Sequence, residues 1–211
     1  MRGAINARPT QNRAALAEPE QVGRLMLAIE NYSGAFVARL ALQFMALTFC
    51  RPVEIVHAEW REFAIQDKLW RIPASKMKMA RDHLVPLSPQ AVAVLEAIRP
   101  YSGAGEYVFP GLRRGKTVMR TQTLVAALRR MGFAKDETCA HGFRAMASTL
   151  LNEQGFPPDV IERQLAHVPS NQVRAAYNRA EYLPECRRMM DAWANYLDTL
   201  RQQASAVSFS A

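Results

Sequence analysis

Cysteine is scarce in this chain: Cys50, Cys139 and Cys186 are the only three in 211 residues, odd in number and far apart. That excludes a disulfide framework, and the spacings of zinc sites do not occur. Cys139 and His141 lie two residues apart, but no second close Cys/His pair joins them to complete four ligands, so no metal site is expected. Long apolar runs are missing as well. The stretch from Phe36 to Phe49 is interrupted by Arg39 and Gln43, and Met1 to Arg13 lacks an apolar segment of the signal-peptide kind. Neither a membrane span nor a secretion signal is therefore expected, and reduced thiols in a cytoplasmic protein fit the cysteine usage. Internal repeats are absent, and low complexity is confined to the small-residue tail after Gln203. Acidic residues are in deficit, 19 Asp and Glu against 27 Lys and Arg, for a formal charge of +8. This balance favours a polyanionic partner, with nucleic acid first, although it also serves plain solubility. Hydrophobic residues at 49% supply a core for one substantial domain, or at most two small ones.

Residues 1–17 read as a flexible leader or linker remnant, 18–204 as the folded domain and 205–211 as a flexible tail. A first helix opens at Glu18-Pro19-Glu20, and Ser33 is a candidate cap for the next. In that second helix Phe36, Leu40, Phe44 and Leu47 recur at three-to-four spacing, which marks it as central. Phe63–Ile65, Leu69–Ile72 and His83–Val85 then read as a small antiparallel sheet. Ser88-Pro89 starts a further helix that Pro100 is expected to stop, and Tyr101–Lys116 reads as a loop. Helical patterns return at Thr121–Met131, Gly142–Gln154, Pro158–Ala166, Gln172–Arg179 and Pro184–Gln203. The fold class is mainly α with a small three-stranded antiparallel β-sheet.

Several residues could carry chemistry on phosphate. His141 and Arg144, three apart, share a helix face. Arginine offers a permanently charged fork that matches two phosphate oxygens, and histidine moves a proton near neutral pH. Alone, such a pair arises often by chance. Arg51 follows the apolar helix directly, with Pro52 opening the next one and Glu54 placed to brace the guanidinium or to stabilise that helix's first turn. Lys76 and Lys78 alternate with methionines between two strands, as either a solvated turn or a tip that enters a DNA groove. Tyr177 stands ten residues after His167. A phenol needs proton removal and nearby positive charge before it attacks, which two arginines and a histidine can supply.

The ordered set R-P-x-E (Arg51–Glu54), a lysine hairpin ending V-P-L-S (Val85–Ser88), H-G-F-R (His141–Arg144), L-A-H (Leu165–His167) and A-A-Y-N-R (Ala175–Arg179) resembles the catalytic domain of tyrosine recombinases. More narrowly, it is similar to prophage integrases of the satellite-phage type, over roughly residues 20–200. The resemblance implies site-specific DNA recombination, integrating and excising a prophage, by strand cleavage and rejoining through a 3′-phosphotyrosine. It implies that Arg51 and Arg144 clamp the scissile phosphate, His141 assists proton transfer, His167 hydrogen-bonds the phosphate and Tyr177 attacks. Lys78, eight residues before Pro86, would protonate the departing 5′ oxygen, with Lys76 the runner-up. Tyr182, fifteen residues past His167, is the poorer nucleophile candidate. Glu54 would steady the site from behind, and Lys76, Arg81, Arg174 and Arg179 would add DNA contacts. No metal, ATP or other cofactor is implied.

The implied partner is double-stranded attachment-site DNA in the bacterial nucleoid, bound by a tetramer. Met189, Met190, Trp193, Tyr196 and Leu197 of the last helix would dock on a neighbouring protomer or fold back on their own domain. Relatives carry N-terminal core-binding and arm-binding domains, for which about fifty residues before Arg51 leave no room. The expectation is a catalytic domain alone, excised or from a truncated gene. Two rival readings are a DNA-binding remnant without catalysis and a topoisomerase-like enzyme that relaxes supercoils without sequence preference.

Overall fold

The computed structural model describes residues 16–77, 80–111, 117–167 and 182–208. Helix α1, Pro19–Glu30, opens with proline at its first position and Glu20 in its first turn, both suited to a helix start. Val22, Leu25, Met26 and Ile29 form its buried stripe. Helix α2, Phe36–Thr48, buries ten of its thirteen residues and is the axis of the core, as its apolar spacing predicts. Its N-cap is Ala35 rather than Ser33, and no side chain caps it. Phe49 closes α2 in the left-handed region at φ 40°, its N–H bonded to the Met45 carbonyl at 2.8 Å. That conformation is uncommon for a bulky residue. Helix α3, Pro52–Val56, follows at once.

Three short strands, β1 (Phe63–Ala64), β2 (Leu69–Ile72) and β3 (His83–Pro86), make an antiparallel sheet in the order β1-β2-β3. The register pairs Trp70 with Val85 and Ile72 with His83, so the apolar members face the core together. Trp70 also stacks on Phe63 at 5.2 Å and abuts Phe44 of α2 at 5.6 Å. Helix α4, Pro89–Ser102, is capped by Ser88, whose Oγ accepts from the Ala91 N–H at 3.2 Å.

Pro100 does not stop α4, which runs two residues further. A proline in the last turn removes one bond only, and Ser102 secures that turn. The Ser102 hydroxyl donates to the Val108 carbonyl at 2.7 Å, and the Ser102 carbonyl accepts from Trp60 Nε1 at 3.0 Å.

Helices α5 (Thr121–Arg130), α6 (Gly142–Glu153) and α7 (Pro158–Gln164) lead to the last helix, α8 (Tyr182–Ser208). The helix expected over Gln172–Arg179 lies outside the described residues. Helix α8 continues past Gln203 through residues assigned by sequence to a tail, because Ala204 packs beside Gly23 of α1 and prolongs the contact. Met189, Met190, Trp193 and Leu197 are buried within their own chain, and Tyr196 is half-buried beside them. Trp193 adds a bond from Nε1 to the Ala46 carbonyl at 2.9 Å, and Arg201 pairs with Glu30 at 2.7 Å.

Helices α1 and α8 approach so closely that a Cβ added at Gly23 would lie 2.5 Å from the Leu200 carbonyl oxygen. Gly23→Ala is therefore expected to lower unfolding stability by about 1–3 kcal/mol despite its better helix propensity. Urea unfolding followed by circular dichroism checks this.

Candidate active site

The ends of α2 and α7 meet at one place, and two arginines and a histidine gather there. Arg144, in the first turn of α6, is only 9% exposed. Its Nη1 donates to the Phe49 carbonyl at 2.9 Å and its Nη2 to the Leu165 carbonyl at 2.5 Å. These oxygens belong to the residues that close α2 and α7, where helix carbonyls are unpaired and carry partial negative charge. Burial pulls the Arg144 guanidinium below its ordinary value, with Arg51 adding repulsion and Glu54 and Glu162 opposing.

Arg51, the N-cap of α3, reaches the same corner. Its Nη2 lies 3.5 Å from the Ala166 carbonyl. Glu54, buried, accepts the Arg51 backbone N–H on Oε2 and the Arg51 guanidinium on Oε1, each at 2.7 Å. The carboxylate thus both braces the arginine and caps the helix. His167 completes the cluster: Nε2 is 3.3 Å from Arg144 Nη2, and Nδ1 is 2.6 Å from Glu162 Oε2. His141 is exposed at the N-cap of α6, one helical turn from Arg144. Lys78, Tyr177, Arg174 and Arg179 lie outside the described residues.

Lys76 bonds to the protein itself. It ends a 3₁₀ turn, Ala74–Lys76, and its ammonium bonds Glu59 at 2.6 Å, the His57 carbonyl at 2.7 Å and Glu62. Glu59 and Glu62 are both buried and need a counter-charge, which this ammonium supplies. Burial alone would lower the Lys76 ammonium, but its bonds to the two carboxylates outweigh this and hold it above its usual value. Arg81 remains exposed beside β3. At the start of α8, the Tyr182 ring lies 4.5 Å beneath the Arg163 guanidinium. Cys50, next to Arg51, is fully buried, and burial raises its thiol so far that it stays protonated. Among the described residues, no group of three or more His, Cys, Asp or Glu could hold a metal ion.

The site also contains residues that motif reasoning missed. His83 on β3 is buried, with Nε2 donating to the Gln164 carbonyl at 3.1 Å. Gln164 in turn donates from Nε2 to the Thr48 carbonyl at 3.1 Å. The carbonyls of Gln164, Leu165 and Ala166 are thus taken by His83, Arg144 and Arg51 in succession. One sequence signal was available for His83: at period two along its strand it shares a face with the apolar Val85.

A mainly helical domain with this small sheet and this arginine–histidine corner has the tyrosine recombinase catalytic fold. The chain superposes on XerA recombinase with a TM-score of 0.59 at 16% identity, covering 96% of this chain and 68% of that one. On a lambda integrase tetramer bound to a Holliday junction the TM-score is 0.61 at 17% identity, over 80% of this chain and 51% of that one.

Residues 16–183 match the phage integrase family, and the chain belongs to that family. It is 44% identical to the prophage integrase IntA of Escherichia coli strain K12, over 92% of this chain and 46% of that protein. It is 41% identical to the integrase of Enterobacteria phage P4, over 96% of this chain and 49% of that protein. The chain spans about half the length of these curated relatives.

Burial pushes the His83 imidazole down to about 4; Glu54 opposes the shift, and Arg144 and Arg51 reinforce it. The unfolded chain binds this proton near pH 6.5 and the folded chain only near 4. Stability from this group is therefore complete above pH 6.5 and is lost as pH falls towards 4, by about 3 kcal/mol in all. His83→Gln keeps a donor for the Gln164 carbonyl but cannot titrate. Urea unfolding at a series of pH values is expected to give a flatter acid limb for the variant than for the wild type.

Proposed function

We propose that this chain breaks and rejoins DNA as the catalytic domain of a site-specific recombinase that integrates and excises a prophage, through a phosphotyrosine formed on Tyr177. The observation that carries the reading is the convergence of Arg51, Arg144 and His167 over the ends of α2 and α7, with Glu54 behind Arg51. Two guanidiniums held in place before the substrate arrives suit a phosphodiester whose charge grows in the pentavalent transition state. A guanidinium carries five N–H donors, so Arg144 can keep its bonds to the Phe49 and Leu165 carbonyls and still offer another to a phosphate.

In this mechanism the Tyr177 oxygen attacks phosphorus and loses its proton to the site, with His141 assisting. Lys78 delivers a proton to the departing 5′ oxygen. The broken bond is conserved as a 3′-phosphotyrosine, and attack by another strand's 5′-hydroxyl reverses the step. Energy stays in the protein–DNA link, so neither metal nor ATP is required. The partner is double-stranded attachment-site DNA in the bacterial nucleoid, bound by several copies of the chain, with tetramers as the working assembly. Arg81, Arg174 and Arg179 would touch the backbone, and binding would weaken steeply as salt rises.

The test is adduct formation on a nicked attachment-site duplex, resolved on a denaturing gel. The wild-type chain is expected to form a covalent band and Tyr177→Phe none. An adduct in the Phe variant removes Tyr177 as nucleophile. Salt-sensitive binding with no adduct in the wild type would favour a DNA-binding remnant.

A further inference from the structure

Among the described residues, three helices end in the same backbone motif, and one of them departs from the usual chemistry. After α5, the Gly132 N–H bonds the Arg129 carbonyl at 3.1 Å and the Phe133 N–H bonds the Leu128 carbonyl at 3.2 Å. After α6, Gly155 bonds Asn152 at 3.0 Å and Phe156 bonds Leu151 at 3.1 Å in the same way. After α7, Ala166 bonds Arg163 and His167 bonds Glu162, both at 3.0 Å. All three are Schellman closures, in which the residue with positive φ is commonly glycine and the flanking positions commonly carry an apolar pair. The first two conform, with Gly132 at φ 92° and Gly155 at φ 80°, and with Leu128/Phe133 and Leu151/Phe156 as the apolar pairs. At α7 alanine holds φ 50°, and the pair is Glu162 and His167.

That closure brings the Glu162 and His167 side chains together, and they meet at 2.6 Å through Oε2 and Nδ1. A guanidinium can only donate, so the Arg144 contact at 3.3 Å makes His167 Nε2 an acceptor and leaves the ring proton on Nδ1, facing Glu162. We propose that Glu162 is the positioning residue of His167, fixing the ring's orientation and its Nδ1–H tautomer so that Nε2 points at the place where phosphate enters. This rests on the recombinase reading for what His167 does. A phosphate oxygen only accepts, so the form of His167 that bonds it through Nε2 while Nδ1 keeps its proton is the imidazolium. Glu162 then balances the imidazolium among the charges of Arg144 on α6, Arg51 and Glu54 at α3 and the phosphate itself. A carboxylate that orients a histidine from its far nitrogen is a general device of acid–base sites.

Glu162 is half exposed, with a side-chain accessibility of 51%, so its replacement leaves the fold in place. Two measurements on the 211-residue chain decide the matter. Imidazole nitrogen NMR at pH 8 without DNA, with His167 assigned from a His167→Gln variant, is expected to show the Nδ1–H tautomer in wild type. Glu162→Leu is expected to lose that signature, and its persistence would overturn the proposal. Single-turnover adduct formation on the nicked duplex is expected to slow by roughly a hundredfold in Glu162→Leu. Glu162→Gln, which keeps an acceptor oxygen without the charge, is expected to fall between, and DNA affinity is expected to change little. A Leu variant as fast as wild type would also overturn the proposal. A wild type that forms no adduct sinks the recombinase reading instead, while the tautomer measurement still decides whether Glu162 holds His167.

Discussion

The buried guanidinium of Arg144 is the constraint around which the site is built. A cation at 9% exposure must be compensated, and here backbone does it: the closing carbonyls of α2 and α7 converge on one side chain from α6. Phe49 and Ala166 both stand in the left-handed region beside those carbonyls, at φ 40° and 50°. They are two of four non-glycine residues with positive φ among the described residues, and both stand where a helix end is turned towards the same charge. Three helices are thereby fixed relative to one another by one residue.

Burial on every side of α2 makes this possible. Phe44 packs against Phe63, Trp70 and Phe109, with ring centroids 6.0, 5.6 and 5.5 Å away, which ties the sheet to the helix. His83 then connects β3 to the last carbonyl of α7, and Gln164 connects α7 back to Thr48. The polar links run in a ring behind the arginines, inside the apolar shell. The proposed phosphate site and this ring of polar contacts share the same few residues.

Much of this was legible in the sequence, and the exceptions share a cause. The alternation of apolar residues around Trp70 and Val85 predicts the strands, and the spacing Phe36, Leu40, Phe44, Leu47 predicts the central helix, because both depend on local periodicity. That Arg51, Arg144 and His167 belong together was suggested only by the family resemblance of the ordered motifs, not by any local pattern. Contacts between distant segments were not legible. Lys76 looks like a hairpin-tip cation until Glu59 and Glu62 are seen to be buried beneath it. Glu162 precedes His167 by five residues, a separation with no meaning on an ideal helix. Only the left-handed turn at Ala166 gives it one. Pro100 misled because a proline's cost depends on whether its helix has another turn to lose.

The indole of Trp193 has a further use. It is fully buried on α8, edge-on to Phe49 at 6.1 Å and 87°, beside the residue whose carbonyl receives Arg144. A ring so screened from water is expected to emit at short wavelength and to shift to longer wavelength on any release of α8 from α2. Trp60 and Trp70, the other two tryptophans, sit on the sheet side of the core, Trp60 under Arg99 and Trp70 against Phe63. Single-tryptophan variants therefore turn the domain into its own optical probe, separating movement of the C-terminal helix from movement of the sheet in real time.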